Sequence, residues 1–235
     1  MTYFTKRGTL VVGMSSVISV LKPISNPRLF RKDTIVLFQG EVPRGVYVVL
    51  DGVVRAYSIT SSGEERTISL YTKGDILPLA WALGDAPTSF LHYVAMSDVR
   101  TLEIKRTAFQ QAITKNKSLT QHFLHVASNN YASLLLRVTG LSQSRAIEKI
   151  AYTMYYLLFR YGLDRGNEQY ELNLKLSQGM IASLIGQTRE STARNLKTLK
   201  ENGSIDYNGS TYTVNKVRLE QFIGEDTFRD LVPKI

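Results

Sequence analysis

From about residue 33 to 105 the apolar residues come in short β-branched and aromatic runs broken by turn residues; from about 106 they take up helical spacing. Runs this short cannot give a helix a useful buried face, so the first stretch must form sheets and the second must form helices. The expected strands are Thr34–Phe38, Val46–Leu50, Val53–Tyr57, Arg66–Tyr71, Ile76–Leu79, Phe90–Met96 and Arg100–Ile104. Turns fall at Gly40–Gly45, Ser61-Ser62-Gly63 and Lys73-Gly74-Asp75. Asp51-Gly52 reads as a two-residue hairpin, because both central positions of a type I′ turn want positive φ. Short strands at this spacing predict an antiparallel, jelly-roll-like β-roll.

Beyond the switch, Leu119, Phe123, Val126, Asn130, Leu134 and Leu141 form a stripe near the 3.5-residue repeat over about 25 residues. A helix that long cannot bury its stripe against one small roll. A parallel partner helix from a second subunit covers it most economically; packing wholly within its own chain is the alternative. Gly140 breaks the pattern, and Ala146–Tyr161 is a second apolar helix ending at Gly162, followed by the loop Asp164–Glu168. The fold class is therefore α+β: a roll domain with an N-terminal helix (1–115), a long dimerisation helix (116–141) and a small C-terminal domain (142–235).

Composition excludes several function classes. Hydrophobic residues at 43% and charged residues at 21% suit a globular chain. The absence of Cys removes disulfides, thiolate-held zinc or iron–sulfur clusters and cysteine nucleophiles. No run of eighteen apolar residues is present, so no membrane span is expected. Lys6-Arg7 before Thr9–Leu21 imitates a signal peptide. No Ala-x-Ala site follows, however, and Leu10, Met14, Val17, Ile18 and Leu21 fall at helical spacing, so an amphipathic helix and a cytoplasmic location are expected. The net charge of +9 makes an anionic partner plausible.

The chemistry concentrates in Leu176–Leu199. Ser177 is a helix N-cap, Ile181, Leu184 and Ile185 make one apolar face, Ala182 is small where a second helix must approach, and Gly186 supplies a tight turn. Thr188 caps the next helix, which runs to about Glu201. At 100° per residue, Thr192, Leu196 and Leu199 share one arc, while Arg189, Glu190, Ala193, Arg194 and Lys197 share the opposite one. One face is fixed to the domain and the other presents cations and a carboxylate outward. That is what a recognition helix needs: Arg matches the two acceptors of guanine, and Glu accepts from the cytosine amino group. A hairpin around Asn208-Gly209 completes a winged helix–turn–helix, so double-stranded DNA is the expected partner. Ser177, Gln187 and Thr188 join Arg189, Glu190, Arg194 and Lys197 in the expected DNA-binding set. Charge supports this only locally. Residues 1–140 carry +7 and 141–235 only +2, but within 175–200 five cations (Lys175, Arg189, Arg194, Lys197, Lys200) face only Glu190.

From about Thr34 to Phe222 the sequence resembles the CRP/FNR family of bacterial transcription regulators. Val46–Tyr57, Gly63 and Gly74-Asp75 are similar to the family's cyclic-nucleotide-binding-type roll, and Thr188–Arg194 to its reader, Arg-Glu with a second Arg four residues after the Glu. The resemblance implies a homodimer along the long helix on an inverted repeat. Arg189 and Arg194 would read guanines and Glu190 a cytosine, giving a TGTGA-like half-site; Ala193, where the FNR branch carries Ser, favours that preference. It also makes RNA polymerase a candidate partner, near the Asp164–Glu168 loop.

The effector site departs from the family. Members that bind cAMP carry Gly-Glu and Arg-Ser where this chain has Pro78-Leu79 and Ser89-Phe90, and the positions expected to reach the purine fall near Leu134 and Leu135. A buried phosphate without a guanidinium would be an unpaired charge. No cofactor is therefore expected. The alternative is a sensor for a small-molecule, haem or lipid-like ligand that gates DNA binding, held by Leu77, Leu79, Trp81, Phe90 and Leu134, which otherwise read as core. His92, His122 and His125 lack a nearby carboxylate and make a weak metal signal. A cupin-like enzyme would need a His-x-His or Glu cluster that the roll does not supply, so no enzymatic activity is expected.

Overall fold

The computed structural model describes residues 2–4, 10–12, 14–84 and 86–224. The chain divides into two compact units, Met1–Ser128 and Asn129–Ile235, so the division falls inside a helix.

In the first unit, β1 (Thr2–Phe4) pairs with β2 (Leu10–Val12), and α1 (Met14–Leu21) precedes the roll. The roll comprises β3 (Ser25–Phe30), β4 (Ile35–Leu37), β5 (Val46–Asp51), β6 (Val54–Ile59), β7 (Glu65–Tyr71), β8 (Ile76–Leu77), the short helix α2 (Leu79–Leu83), β9 (His92–Ala95) and β10 (Val99–Ile104). Two antiparallel sheets result, ordered β3-β10-β5-β8 and β4-β9-β6-β7. Alternation along β5 explains how they pack. Tyr47 and Val49 join Leu37, Val54, Ala56, Tyr93 and Ala95 in one core cluster. Val46 and Val48 join Val17, Leu21, Trp81, Phe109, Leu119 and Phe123 in the other. The β5 sheet is thus covered by the second sheet on one face and by helices on the other.

Three expectations need correction, and one strand was not foreseen. Leu10 lies in β2, so the N-terminal helix is shorter and starts at Met14. Ile76–Leu79 is a strand only to Leu77, because Pro78 has no N–H for the ladder and α2 starts directly after it. Asp51-Gly52 does not close a hairpin: β5 pairs with β10 and β8, β6 with β7 and β9, and the turn carries the chain from one sheet to the other. Gly52 (φ +88°) is needed there because a Cβ would lie 2.3 Å from the Asp98 carbonyl oxygen. Gly52→Ala should therefore destabilise the roll by about 2–4 kcal/mol, combining left-handed strain with overpacking, as measured by chemical denaturation. Finally, β3 is an additional edge strand. Its burial is mostly exposed and it contains Pro27, so it carries no alternating apolar signal.

After α3 (Arg106–Lys115) comes α4 (Lys117–Leu141), whose faces also differ from expectation. Leu119, Phe123 and Val126 are buried, the first two in the roll's own core. The uncovered stripe keeps Leu134 and Leu141 of the expected residues and adds Leu124 (67% exposed), Tyr131 (65%) and Val138 (53%). With half-buried Ala127 these are the a and d positions of nearly three heptads. Gly140 does not break the helix; it lets α4 approach α5, since a Cβ would lie 2.6 Å from that of Tyr152.

The second unit is built on α5 (Ala146–Tyr161), which is buried on nearly all sides. Around it lie β11 (Gly162–Asp164), β12 (Gln169–Leu172), α6 (Gln178–Ile185), α7 (Arg189–Glu201), β13 (Ile205–Asn208), β14 (Thr211–Asn215) and α8 (Lys216–Ile223), with a sheet ordered β11-β12-β14-β13. The loop read at Asp164–Glu168 is the tip of the β11–β12 hairpin. In the β13–β14 hairpin Asn208 faces Thr211, so the central residues are Gly209-Ser210, one residue later than the Asn-Gly signal suggests. Gly209 has φ +59° at the first central position, as a II′ loop requires.

Candidate nucleic-acid interface

α6 and α7 are joined by a turn whose chemistry is local. The Ser177 side chain accepts from Met180 N–H (3.1 Å) and caps α6. Gly186, at φ +67°, ends α6 in the left-handed conformation that a Cβ disfavours. The Thr188 side chain accepts from Ser191 N–H (3.2 Å) and caps α7. Ser177, Thr188 and Gly186 therefore sit where the sequence placed them.

α7 has two opposed faces. Thr192, Leu196 and Leu199 are fully buried, and the Thr192 hydroxyl donates to the Thr188 carbonyl at 2.9 Å. Arg189, Glu190, Arg194 and Lys197 are exposed on the other side. Gln187 is half-buried; its side-chain oxygen accepts from the Ser191 hydroxyl at 3.4 Å. Leu196→Ala should cost about 2–5 kcal/mol through the cavity it leaves, read by thermal unfolding, since Leu196 is the residue that seats α7.

Lys200 does not belong to the outward face. Its ammonium lies 2.7 Å from Asp206 and 4.8 Å from the Tyr207 ring, and it donates to the Tyr207 carbonyl. The Asp206 hydrogen bond raises the Lys200 pKa, and the Asp206 carboxyl is lowered in turn. Lys200 therefore braces α7 against the wing, and the outward cations of this segment are Lys175, Arg189, Arg194 and Lys197. The sequence could not show this, because Asp206 becomes a neighbour only once the β13 strand folds back.

Of the five residues weighed as ligand lining or as core, Leu77, Leu79 and Trp81 take the core role. Leu77 is in the core between the sheets and Trp81 in the helix-side core, with Leu79 packed against the latter. Phe90 is 61% exposed, and Leu134 lies on the open face of α4 in the other unit. A cleft of about 450 Å³ lies elsewhere on the roll, between the edge strands β3 and β4, with Arg28, Phe30, Phe38, Glu41, Arg44 and Tyr47 among its walls. His92 accepts from Gln39 N–H and stacks on Tyr57, and among the described residues no group of three potential ligands could hold a metal. No described helix is long and apolar enough to cross a membrane.

Residues 27–116 match the cyclic nucleotide-binding domain family, and residues 148–222 match the Crp-like helix-turn-helix domain family. The chain belongs to the CRP/FNR family. Its relatives include the anaerobic regulatory protein of Aggregatibacter actinomycetemcomitans, 25% identical over 87% of this chain and 76% of that one. Another is the fumarate and nitrate reduction regulatory protein of Vibrio cholerae, 26% identical over 79% of this chain and 73% of that one. Among solved structures, FixK2 from Bradyrhizobium japonicum has the same fold, with a TM-score of 0.70 at 21% identity over 84% of this chain and 96% of that one. As a CRP/FNR regulator, the protein is a DNA-binding transcription regulator with a cyclic-nucleotide-binding-type roll.

The roll does not fit the nucleotide that names its domain family. At the positions where the resemblance expects ribose- and phosphate-binding groups stand Pro78, Leu79, Ser89 and Phe90. The Ser89 hydroxyl donates to the Leu91 carbonyl at 2.7 Å, and Phe90 is exposed. None of these four side chains is itself a carboxylate or a guanidinium.

Proposed function

We propose that this regulator binds an inverted repeat as a homodimer, with one α7 in the major groove of each half-site. The observation that carries this is the division of α7 into a buried face (Thr192, Leu196, Leu199) and an outward face bearing Arg189, Glu190, Arg194 and Lys197. Arg189 and Arg194 are five residues apart, so they project from points about 7.5 Å apart along the helix axis. That is roughly two base steps at 3.4 Å each. The spacing suits two guanines separated by one base, as in a TGTGA-like arm, with Glu190 accepting from a cytosine amino group on the other strand. Lys175 and Lys197, together with the capped N-termini at Ser177 and Thr188, are suited to phosphate, with Gln187 beside them at the α7 start.

The dimer supplies the second half-site. Leu124, Ala127, Tyr131, Leu134, Val138 and Leu141 give α4 a coiled-coil seam, and a parallel pair places the two readers symmetrically about the DNA dyad. The exposed Arg165–Glu168 turn is the candidate contact with RNA polymerase, and the cytoplasm is where both partners are met.

Selection from a random duplex pool tests the reading. The protein should enrich a palindrome with guanines two positions apart in each arm, and its affinity should fall steeply with salt as phosphate contacts release counterions. Enrichment of no palindrome would refute it.

A further inference from the structure

Two arginines in the second unit are turned inward: one ties α4 to the helix–turn–helix and the other ties α5 to α4. Arg137, on α4, donates to the carbonyl oxygen of Leu184 at 3.0 Å, and its guanidinium lies 5.3 Å from the centre of the Tyr156 ring of α5. Leu184 is in the last turn of α6, where carbonyl groups have no partner within the helix and the helix dipole is negative. Burial lowers the Arg137 pKa, with Tyr156 and Tyr161 opposing the shift. The second tie runs the other way. Arg160, on α5 and 6% exposed, donates to the Asn130 side chain of α4 and lies over the Tyr161 ring.

An apolar side chain of similar volume would have filled the space and avoided desolvating a charge. What the inward-turned pair adds is direction, because a planar guanidinium holds its acceptor and its aromatic partner at fixed angles. α6 packs on α7, and the turn between them is short and capped at both ends. Fixing α6 relative to α4 therefore fixes α7 relative to the helix that carries the dimer seam.

We propose that Arg137 is a positioning residue for DNA recognition: by holding the C-terminus of α6 against α4, it sets the separation and tilt of the two α7 helices, and hence the half-site spacing the dimer accepts. This rests on the dimeric reading above. Arg137 touches no base; the preference within each arm belongs to Arg189, Glu190 and Arg194.

The two contributions are separable by experiment. Full-length wild type, Arg137→Gln and Arg137→Lys are each run against a duplex library in which both the arm sequence and the spacer length vary. Thermal unfolding and sedimentation identify variants that are folded and dimeric. Wild type should select one spacer length. Arg137→Gln should keep the same arm sequence but accept several spacers. Its preference for the full palindrome over a single arm should fall about 10- to 100-fold, the size expected for losing a charge-assisted hydrogen bond. Arg137→Lys keeps the charge but loses the planar fork, so it should recover part of the preference and remains testable if the glutamine variant fails to fold. A single unchanged spacer with an unchanged palindrome preference in folded variants would overturn the proposal. So would loss of the arm sequence itself, which would make Arg137 a determinant of the reader's fold rather than its placement. Failure of the wild type to select any palindrome is a different result: it removes the dimeric reading, and this inference with it.

Discussion

Substituting glutamate at both Leu134 and Val138 is expected to turn the dimer into a monomer in sedimentation and to weaken binding to the palindrome by about 10²- to 10⁴-fold, the avidity that two linked sites confer. Both side chains sit on the open seam of α4, so the change should leave the folded chain intact. In a dimer, four carboxylates would face each other across a dry, parallel helix pair, where like charges are strongly unfavourable. Affinity for an isolated half-site should not change. A control is available on the same helix. Phe123→Ala lies in the roll's own core and should lower the unfolding temperature while leaving the dimer constant nearly unaltered. If the double glutamate variant remained dimeric, the seam would lie elsewhere.

Arg189→Ala should cost about 1–3 kcal/mol at each half-site and relax the preference at one guanine position while the rest of the motif persists. Arg194→Ala should do the same two positions away. Both side chains are exposed and none of the packing that seats α7 depends on them, so unfolding temperatures should stay within error of wild type. Lys197→Ala separates base reading from phosphate contact. It should weaken binding evenly across sequences and reduce the salt slope by about 1 for each half-site. Equal losses on specific and random duplexes in Arg189→Ala would assign that residue to the backbone instead of a base.

The parts of the fold that could be read from sequence are those in which one local signal decides the structure. The α6 and α7 caps, Gly186, the bounds of α5 and α7 and the outward face of α7 all depend on residues within a few positions of one another. The sequence misled where a local signal met a non-local choice. Asp51-Gly52 supplies the positive φ of a turn, but only the pairing of β5 with β10 and β8 shows that the turn joins two sheets. The α4 stripe merged two faces: Leu134 and Leu141 lie on the open seam, but its N-terminal members do not. Leu119 and Phe123 are apolar because the roll covers them, whereas the seam is spaced by the same heptad and is recognised only by its exposure. Arg137 and Arg160 were invisible as positioning groups because an arginine in a helix reads as solvated until its neighbours are known. The core reading of Leu77 and Trp81 is correct, but their division was not legible: they lie near each other in sequence, yet β8 gives way to α2 between them, and they enter different cores.

The claim on which the account depends is that α7 meets base edges in the major groove, and chemical interference measures this directly. Dimethyl sulfate methylates guanine at N7 in the major groove and adenine at N3 in the minor groove. A partly methylated palindromic duplex is mixed with the protein, and bound and free fractions are compared base by base. The account predicts that methylation of the two guanines read by Arg189 and Arg194 in each arm excludes the duplex from the bound fraction, and that Arg189→Ala removes the interference at one of them alone. Interference confined to adenines, or none at the arm guanines, would contradict it.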